Sequence, residues 1–208
     1  MKKAKMLFCT ALFCCFSVIA SSQTENTNNR QVRSPNLYLG LGGGGCNEGY
    51  TLGINGAVIY PNSWGMSVGF DSYAFRTRNM PKDYQSGLKF SDPFSGDNMP
   101  QDHINSLSFC LNKEFTTRFK RLRAGVDLGP TYVNYVQKIF RPNPNPGWLG
   151  SNYLISESSK GSVGLFLRCR ADFAMARFCG VEMAMVANTN DAKPYFGWEL
   201  FVLFGKLM

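Results

Sequence analysis

Apolar and polar residues alternate with a period of two along most of the chain. In one segment, Trp64, Met66 and Val68 alternate with Gly65 and Ser67. This period indicates β-strands, because successive side chains of a strand point to opposite faces of a sheet. Each strand would carry one apolar face and one face rich in glycine and polar residues. The pattern predicts eight strands, at 37–41, 50–60, 64–77, 106–115, 121–132, 162–173, 180–187 and 195–207.

An even number of strands fits a closed antiparallel barrel with both termini on one side. No apolar run after residue 22 reaches the 18 residues of a spanning helix. The last predicted strand runs to the end of the chain, so it can pair with the first and leave no open edge in hydrocarbon. We therefore predict an all-β fold, an eight-stranded antiparallel up-and-down transmembrane β-barrel.

The connections between these strands differ in length in a regular way. Those at 61–63, 116–120 and 176–179 are short, whereas those at 79–101 and 136–160 are long. Both long connections fall at the end opposite the termini, which is typical of outer-membrane barrels with external loops. We expect 79–101 and 136–160 to be external loops and the candidate contact sites for an external ligand or protein.

The polar face carries charges of both signs, six acids against four bases when Asp71 is included. A mutually paired set of charges suits a barrel interior, so we expect the apolar face to meet outer-membrane lipid. The predicted lumen network consists of Arg121, Arg123, Arg168, Arg170, Glu114, Asp127, Asp172, Glu182 and Glu199. We expect this network to block ion flow, because an uncompensated buried charge is costly. A soluble lipocalin-like barrel that turns its apolar face inward around a lipid is the alternative orientation.

Aromatic residues stand near the strand ends on the apolar face. Rings at both rims are what the two membrane–water interfaces favour. The predicted aromatic girdle consists of Tyr50, Tyr60, Trp64, Phe115, Tyr132, Trp198 and Phe204.

The first 22 residues have the composition of a signal peptide. Three lysines precede an apolar run from Met6 to Ala20, and small residues allow cleavage after Ser22. Removing the three lysines lowers the formal net charge from +8 to +5. We predict a cleaved signal peptide at 1–22, a short lead at 23–35, a barrel domain at 36–208, and export to the outer membrane of a Gram-negative bacterium.

The sequence offers little catalytic chemistry. The single histidine, His103, follows Asp102 and precedes Ser106, but this pattern is more typical of a solvated strand end than of a nucleophile with its base. One histidine and four scattered mature cysteines do not make a standard zinc site. The run Gly42-Gly43-Gly44-Gly45 lacks the lysine of a phosphate-binding loop. We predict no enzyme activity, no metal and no cofactor.

Basic residues are dispersed along the mature chain, and only 118–123 concentrates them. A nucleic-acid-binding protein needs a concentrated basic patch, and export makes that partner improbable. We therefore expect no nucleic-acid partner.

The chain resembles the small outer-membrane barrels of Bacteroidetes-type proteins, OmpA-like or OmpX-like in architecture. The resemblance lies in Ala20-Ser21-Ser22-Gln23, in Leu37-Tyr38-Leu39-Gly40-Leu41-Gly42, and in Trp198-Glu199-Leu200-Phe201-Val202-Leu203-Phe204-Gly205-Lys206. It implies insertion by the barrel assembly machinery, which recognises an aromatic-rich last strand in this family. This chain departs from that pattern by ending Lys206-Leu207-Met208.

Eight strands make a barrel whose interior is just wide enough for side chains to fill. We therefore expect a non-enzymatic outer-membrane barrel with a structural, adhesive or envelope-assembly role and a filled lumen. A narrow diffusion pore is the first alternative, and the soluble lipid-binding barrel is the second.

Overall fold

The structure is a computed structural model, and it describes residues 35–46, 49–85, 100–116, 121–145 and 151–207. The predicted signal peptide and nearly all of the lead lie outside these ranges, as does most of the connection 79–101. Within the described ranges, no helix has the length and apolar character needed to cross a membrane.

The described residues form eight β-strands, each paired antiparallel with the next. Strand β1 also pairs with β8, which closes the sheet into a barrel. The predicted fold class is therefore confirmed. The strands are β1 Asn36–Cys46, β2 Gly49–Ile59, β3 Trp64–Arg76, β4 Gln101–Thr116, β5 Leu122–Pro142, β6 Tyr153–Ala174, β7 Cys179–Asn190 and β8 Tyr195–Gly205.

The register of the barrel is staggered by ten residues. A row of paired residues can be followed around the barrel from Ile59 of β2, through β3 to β8 and then β1. It returns to β2 at Gly49, ten positions earlier. Such a shear tilts the strands by roughly 35–45° from the barrel axis. Charged residues on different strands therefore meet at one height even though their positions along the strands differ.

The β2–β3 connection is a tight turn, as the sequence predicts. Ser63 has a φ of 65°, and its amide donates to the Tyr60 carbonyl at 2.9 Å. The Asn62 side-chain oxygen accepts a hydrogen bond from the Trp64 amide at 3.1 Å. The side chain of Asn62 thus stabilises a backbone that Ser63 holds in the left-handed region.

Strands β5 and β6 extend well beyond their neighbours. They pair with each other as far as Pro142 and Tyr153, whereas the last residue of β5 paired with β4 is Val136. The interpretation of 136–160 as an irregular loop was wrong, since most of it is a β-ribbon. Six residues of β5 beyond Val136 span roughly 20 Å at the rise of a strand. The sequence hid this ribbon because its residues do not alternate between apolar and polar types.

Side-chain orientation follows the predicted alternation. Apolar residues such as Leu39, Val68 and Leu200 are exposed on the outer face, whereas the inward positions of the same strands are buried. The inward charged residues occupy the middle of the barrel. A lipocalin-like barrel requires an apolar interior, so this structure does not have the orientation of the soluble alternative.

Apolar side chains form two further layers inside the barrel. The turn-end layer, at the end where β1 begins and β8 ends, consists of Tyr38, Ala57, Ile59, Ala174, Phe201, Leu203 and Leu207. The loop-end layer, at the opposite end, consists of Tyr73, Phe75, Ile104, Val133 and Tyr195. The charged residues lie between these layers. The alternation along the sequence predicts the inward charges but not the apolar layers.

The end of the chain contributes to the turn-end layer. Leu207 follows β8, and its amide donates to the carbonyl of Arg177 at 2.9 Å. Its side chain is only 2% exposed. The ending Lys206-Leu207-Met208, which departs from the aromatic pattern, thus places an apolar side chain inside the barrel.

Candidate functional site

The candidate site is the charged lumen, built from five neighbouring strands. Residue pairing places Arg123 beside Asp172, Asp127 beside Arg168, and Asp172 beside Glu182. Eight of the nine residues predicted for the network point inward and are buried: Glu114, Arg123, Asp127, Arg168, Arg170, Asp172, Glu182 and Glu199.

Arg170 lies at the centre of this group. Its Nε atom donates to Asp127 Oδ1 at 3.2 Å, and its Nη1 atom hydrogen-bonds Asp172. Its guanidinium also lies 3.9 Å from Glu114 Oε2 and 4.0 Å from Glu182 Oε2. One planar cation therefore connects carboxylates from four strands, which is the geometry for which arginine is suited.

The other two inward arginines extend the network in opposite directions. Arg123 lies 3.5 Å from Glu114 and 3.6 Å from Asp172. Arg168 hydrogen-bonds Glu182 and lies 3.9 Å from Glu199. The shared carboxylates join the three arginines into one continuous network across the barrel.

Aromatic rings of the turn-end layer lie close to the guanidinium groups. Arg168 lies 4.6 Å from the ring centre of Phe201, and Arg170 lies 5.6 Å from that of Tyr38. Arg123 approaches the same Tyr38 ring at 6.0 Å. These distances allow cation–π attraction, which is stronger where water is excluded.

Uncharged polar side chains complete the lumen. Asn112 donates from Nδ2 to Asp127 Oδ1 at 2.6 Å, and the Tyr73 hydroxyl donates to Glu199 Oε1 at 3.0 Å. At the loop end, Asn188 donates to the Tyr195 hydroxyl, which in turn donates to Ser106. Sequence alternation places these residues inside, but their role is visible only from the contacts.

The lumen contains more acids than bases. Asp71, which the sequence analysis placed on the polar face but outside the network, is also buried in it. A Cβ atom at Gly53 would lie 2.2 Å from Asp71 Oδ1, so the glycine leaves the room that this carboxylate occupies. With Asp71, six buried acidic side chains face three arginines in the described part of the network, and Asp102 is a seventh buried acid at the loop end.

The prediction for Arg121 requires correction. Arg121 lies in the turn before β5 and is exposed. Its position in the alternation matches the inward residues, but β5 begins one residue later, at Leu122. At the rim, water solvates a guanidinium group, so nothing draws this side chain into the barrel.

The seven residues of the predicted aromatic girdle lie on the outer face at the two ends of the barrel. Tyr60, Trp64, Phe115 and Phe204 lie towards the turn end, and Tyr50, Tyr132 and Trp198 lie towards the loop end. At the turn end, the Lys113 ammonium lies 4.9 Å from the Trp64 ring centre. At the loop end, Gly45 pairs with both Tyr50 and Trp198.

Asp102 and His103 point to opposite faces of β4. Asp102 is buried and accepts hydrogen bonds from Thr77, Tyr135 and the Lys138 amide. His103, its neighbour on the strand, faces outward. The His–Asp–Ser arrangement considered from the sequence is therefore not assembled, and Asp102 instead joins three segments at the loop end.

A second cluster lies on the β5–β6 ribbon. The segment 81–85 packs on the ribbon tip, where the Tyr153 hydroxyl donates to Asp83 at 3.0 Å and Asn152 Nδ2 donates to the Asp83 carbonyl. The rings of Tyr84, Phe140 and Tyr153 contact one another edge to face or tilted. We call this cluster the loop–ribbon contact. The hydrogen bond to Asp83 raises the pKa of Tyr153 above 10.0.

Solved structures with a similar fold include several small bacterial proteins, one of them the outer membrane protein Ail. The N-terminal β-barrel domain of OprF from Pseudomonas aeruginosa superimposes with a TM-score of 0.50 at 12% identity, covering 84% of this chain and 99% of that one. Ail of Yersinia pestis, solved in complex with the heparin analogue sucrose octasulfate, gives 0.49 at 10% identity over 82% and 97%. Neisserial surface protein A gives 0.48 at 10% identity over 84% and 96%. No protein-family model and no curated protein sequence matches the chain.

At these identities the likeness is one of fold. The chain is an eight-stranded antiparallel β-barrel of the kind found in small outer-membrane proteins.

Proposed function

We propose that the chain is a non-enzymatic, non-conducting barrel of a Gram-negative outer membrane. A signal peptide at 1–22 directs export and is cleaved, and the barrel assembly machinery inserts the barrel. The observation that carries the proposal is the division of side chains between the two faces. Leucine, valine and aromatic residues cover the outside, whereas the charged residues of the lumen, which lie on β3 to β8, are buried inside. In water this arrangement would expose a large apolar surface and bury charges at a cost, whereas a bilayer favours it.

Three successive layers oppose ion flow through this barrel. The arginine–carboxylate network occupies the middle, and an apolar layer lies towards each end. An ion crossing the barrel would have to lose its hydration at both apolar layers. This favours a structural or adhesive role over the narrow-pore alternative.

The β5–β6 ribbon is the part of the barrel best placed to meet an external partner. It extends beyond the ends of β4 and β7 and carries the exposed side chains of Ile139, Leu154 and Ile155. The loop–ribbon contact fixes segment 81–85 against its tip. We propose that this surface, within the two long connections 79–101 and 136–160, contacts an external protein or ligand. We also propose, from the resemblance described above, that the protein is of Bacteroidetes type.

Cell fractionation tests the membrane assignment. The mature protein should sediment with the outer membrane and migrate differently on gels before and after heating, because a closed barrel resists detergent until it is heated. Recovery as a soluble periplasmic protein carrying lipid would contradict the proposal.

Planar-bilayer recording tests the closed lumen. The refolded protein should show no steady conductance. A double variant, Leu207→Ala with Phe75→Ala, removes large side chains from both apolar layers. It is the comparison protein in which ions should pass more easily. Large, steady conductance of the unmodified protein would favour the pore alternative.

Adhesion requires its own test. Cells that display the barrel with Leu154→Ser and Ile155→Ser should adhere less to an external surface than cells with the unmodified ribbon. The matched control is Leu37→Ser, an equally exposed apolar position at the opposite end. Equal adhesion by the unmodified protein, the ribbon variant and the Leu37→Ser control would contradict a role of the ribbon in adhesion.

A further inference from the structure

The outer face is not uniformly convex. A groove of about 530 Å³ runs along β1, β2 and β3 beside the end of β8. Its walls include the outward side chains of Leu39, Val58, Met66, Val68 and Phe204, with Gly56 between them. Its volume is within the range of ligand pockets, and its lining is almost entirely apolar.

The groove exists because Gly56 has no side chain. A Cβ atom at this position would meet only Leu39 Cδ1, at 4.0 Å, among the nearby heavy atoms. The facing partners of Gly56 in the sheet are Leu39 on β1 and Val68 on β3, which both project further. A larger residue at position 56 would fill this space without a clash.

A basic residue, Lys206, follows the strand that borders the end of the groove. Lys206 is exposed two residues beyond Phe204, and its amide donates to the carbonyl of Leu37 at 2.8 Å. Leu37 and Phe204 both line the groove. Tyr60 and Trp64, exposed at the same turn end, mark the height at which aromatic rings meet the membrane surface.

We propose that this groove binds one phospholipid of the inner leaflet, with an acyl chain along Gly56 and the phosphate beside Lys206. The inference rests on the proposed membrane location and adds a defined lipid site to it. An apolar channel that ends at a cation, just inside an aromatic rim, matches a lipid in both shape and charge. A second copy of the chain would have no comparable use for Lys206 at the end of an apolar groove.

Native mass spectrometry of the reconstituted protein tests the site. The barrel is inserted into nanodiscs of phosphatidylcholine with phosphatidylglycerol and then released in mild detergent. Gly56→Leu should lower retained lipid roughly tenfold, the change that follows from losing about two buried methylene groups. Ala171→Leu, which enlarges another small outward residue on the far side of the barrel, should retain lipid like the unmodified protein.

A charge variant tests the headgroup position. Lys206→Gln should reduce the preference for phosphatidylglycerol over phosphatidylcholine, whereas Lys160→Gln, at the opposite end, should not.

Equal lipid retention by the unmodified, Gly56→Leu and Ala171→Leu proteins would overturn the lipid site while leaving the membrane assignment intact. Loss of a dimer in Gly56→Leu would overturn it in favour of a second copy. A protein that never enters the nanodisc would contradict the proposed function itself.

Discussion

Gly125 and Arg170 are paired residues on β5 and β6, and the glycine leaves the space that the guanidinium occupies. A Cβ atom at position 125 would lie 2.8 Å from Arg170 Nε and 2.9 Å from its Cζ. Arg170 cannot easily move aside, because it also contacts Asp127 and Asp172. A residue without a side chain is thus part of the charged site.

We expect Gly125→Ala to destabilise the barrel by about 1–3 kcal/mol, the usual cost of overpacking a filled interior. The measurement is the urea midpoint of unfolding in detergent or lipid. Gly56→Ala is the control, because a Cβ there would meet only Leu39 Cδ1, at 4.0 Å. Similar midpoints for both variants would show that the Gly125 site relaxes around the added methyl group.

An arginine on the outer face should be tolerated only outside the membrane. Leu165 and Leu154 lie on the same strand and are 52% and 55% exposed. Leu165→Arg should cost about 2–4 kcal/mol if it falls near the bilayer midplane, and Leu154→Arg, on the ribbon, should cost close to nothing. Folding yield into lipid vesicles measures the difference, and equal yields would contradict the proposed orientation.

Removing an arginine from the network should cost more than removing one at the rim. Arg168→Met removes the arginine paired with Glu199 and the nearer of the two arginines at Glu182, which should destabilise the fold by about 3–5 kcal/mol. Arg121→Met, in the exposed turn, should stay within about 0.5 kcal/mol of the unmodified protein. Unfolding in urea measures both. An Arg121 variant as damaging as the Arg168 variant would restore Arg121 to the network.

The last described residue should matter to stability. Leu207→Ala removes a buried side chain from the turn-end layer, so we expect a loss of about 2–5 kcal/mol. Conductance should stay absent, because the network and the loop-end layer remain. Leu200→Ala, on the outer face, is the control for loss of a leucine. A Leu207 variant with unchanged stability would show that the chain end does not hold this layer together.

The loop–ribbon contact should weaken at high pH. Because the hydrogen bond to Asp83 raises the pKa of Tyr153, its stabilising effect is complete below pH 10.0 and is lost as the pH rises through the raised value. Ultraviolet titration of the tyrosines should contain one group that titrates at lower pH in Asp83→Asn than in the unmodified protein. Tyr153→Phe should lack this group. An unchanged titration in Asp83→Asn would mean that the contact does not form.

The alternation along the chain was enough to predict the strands because each strand separates two chemically different environments. Met66 and Val68 had to face the apolar environment and Ser67 the polar one, whether the apolar environment was outside or inside the barrel. The pattern failed where that division ends. Residues beyond Val136 have water on both sides of the ribbon, so their sequence carries no period that reports the strand.

The sequence by itself determined the number of strands, their faces and most of the charges that the lumen would hold, because a period of two is a local property. Only the tertiary structure decided which charges meet. The ten-residue stagger brings Arg170 to the same height as Glu114 and Glu182, and the exact start of β5 leaves Arg121 outside. The apolar layers have the same origin. Leu207 and Ile59 are far apart in the chain, and only closure of the barrel places both at one end of the lumen.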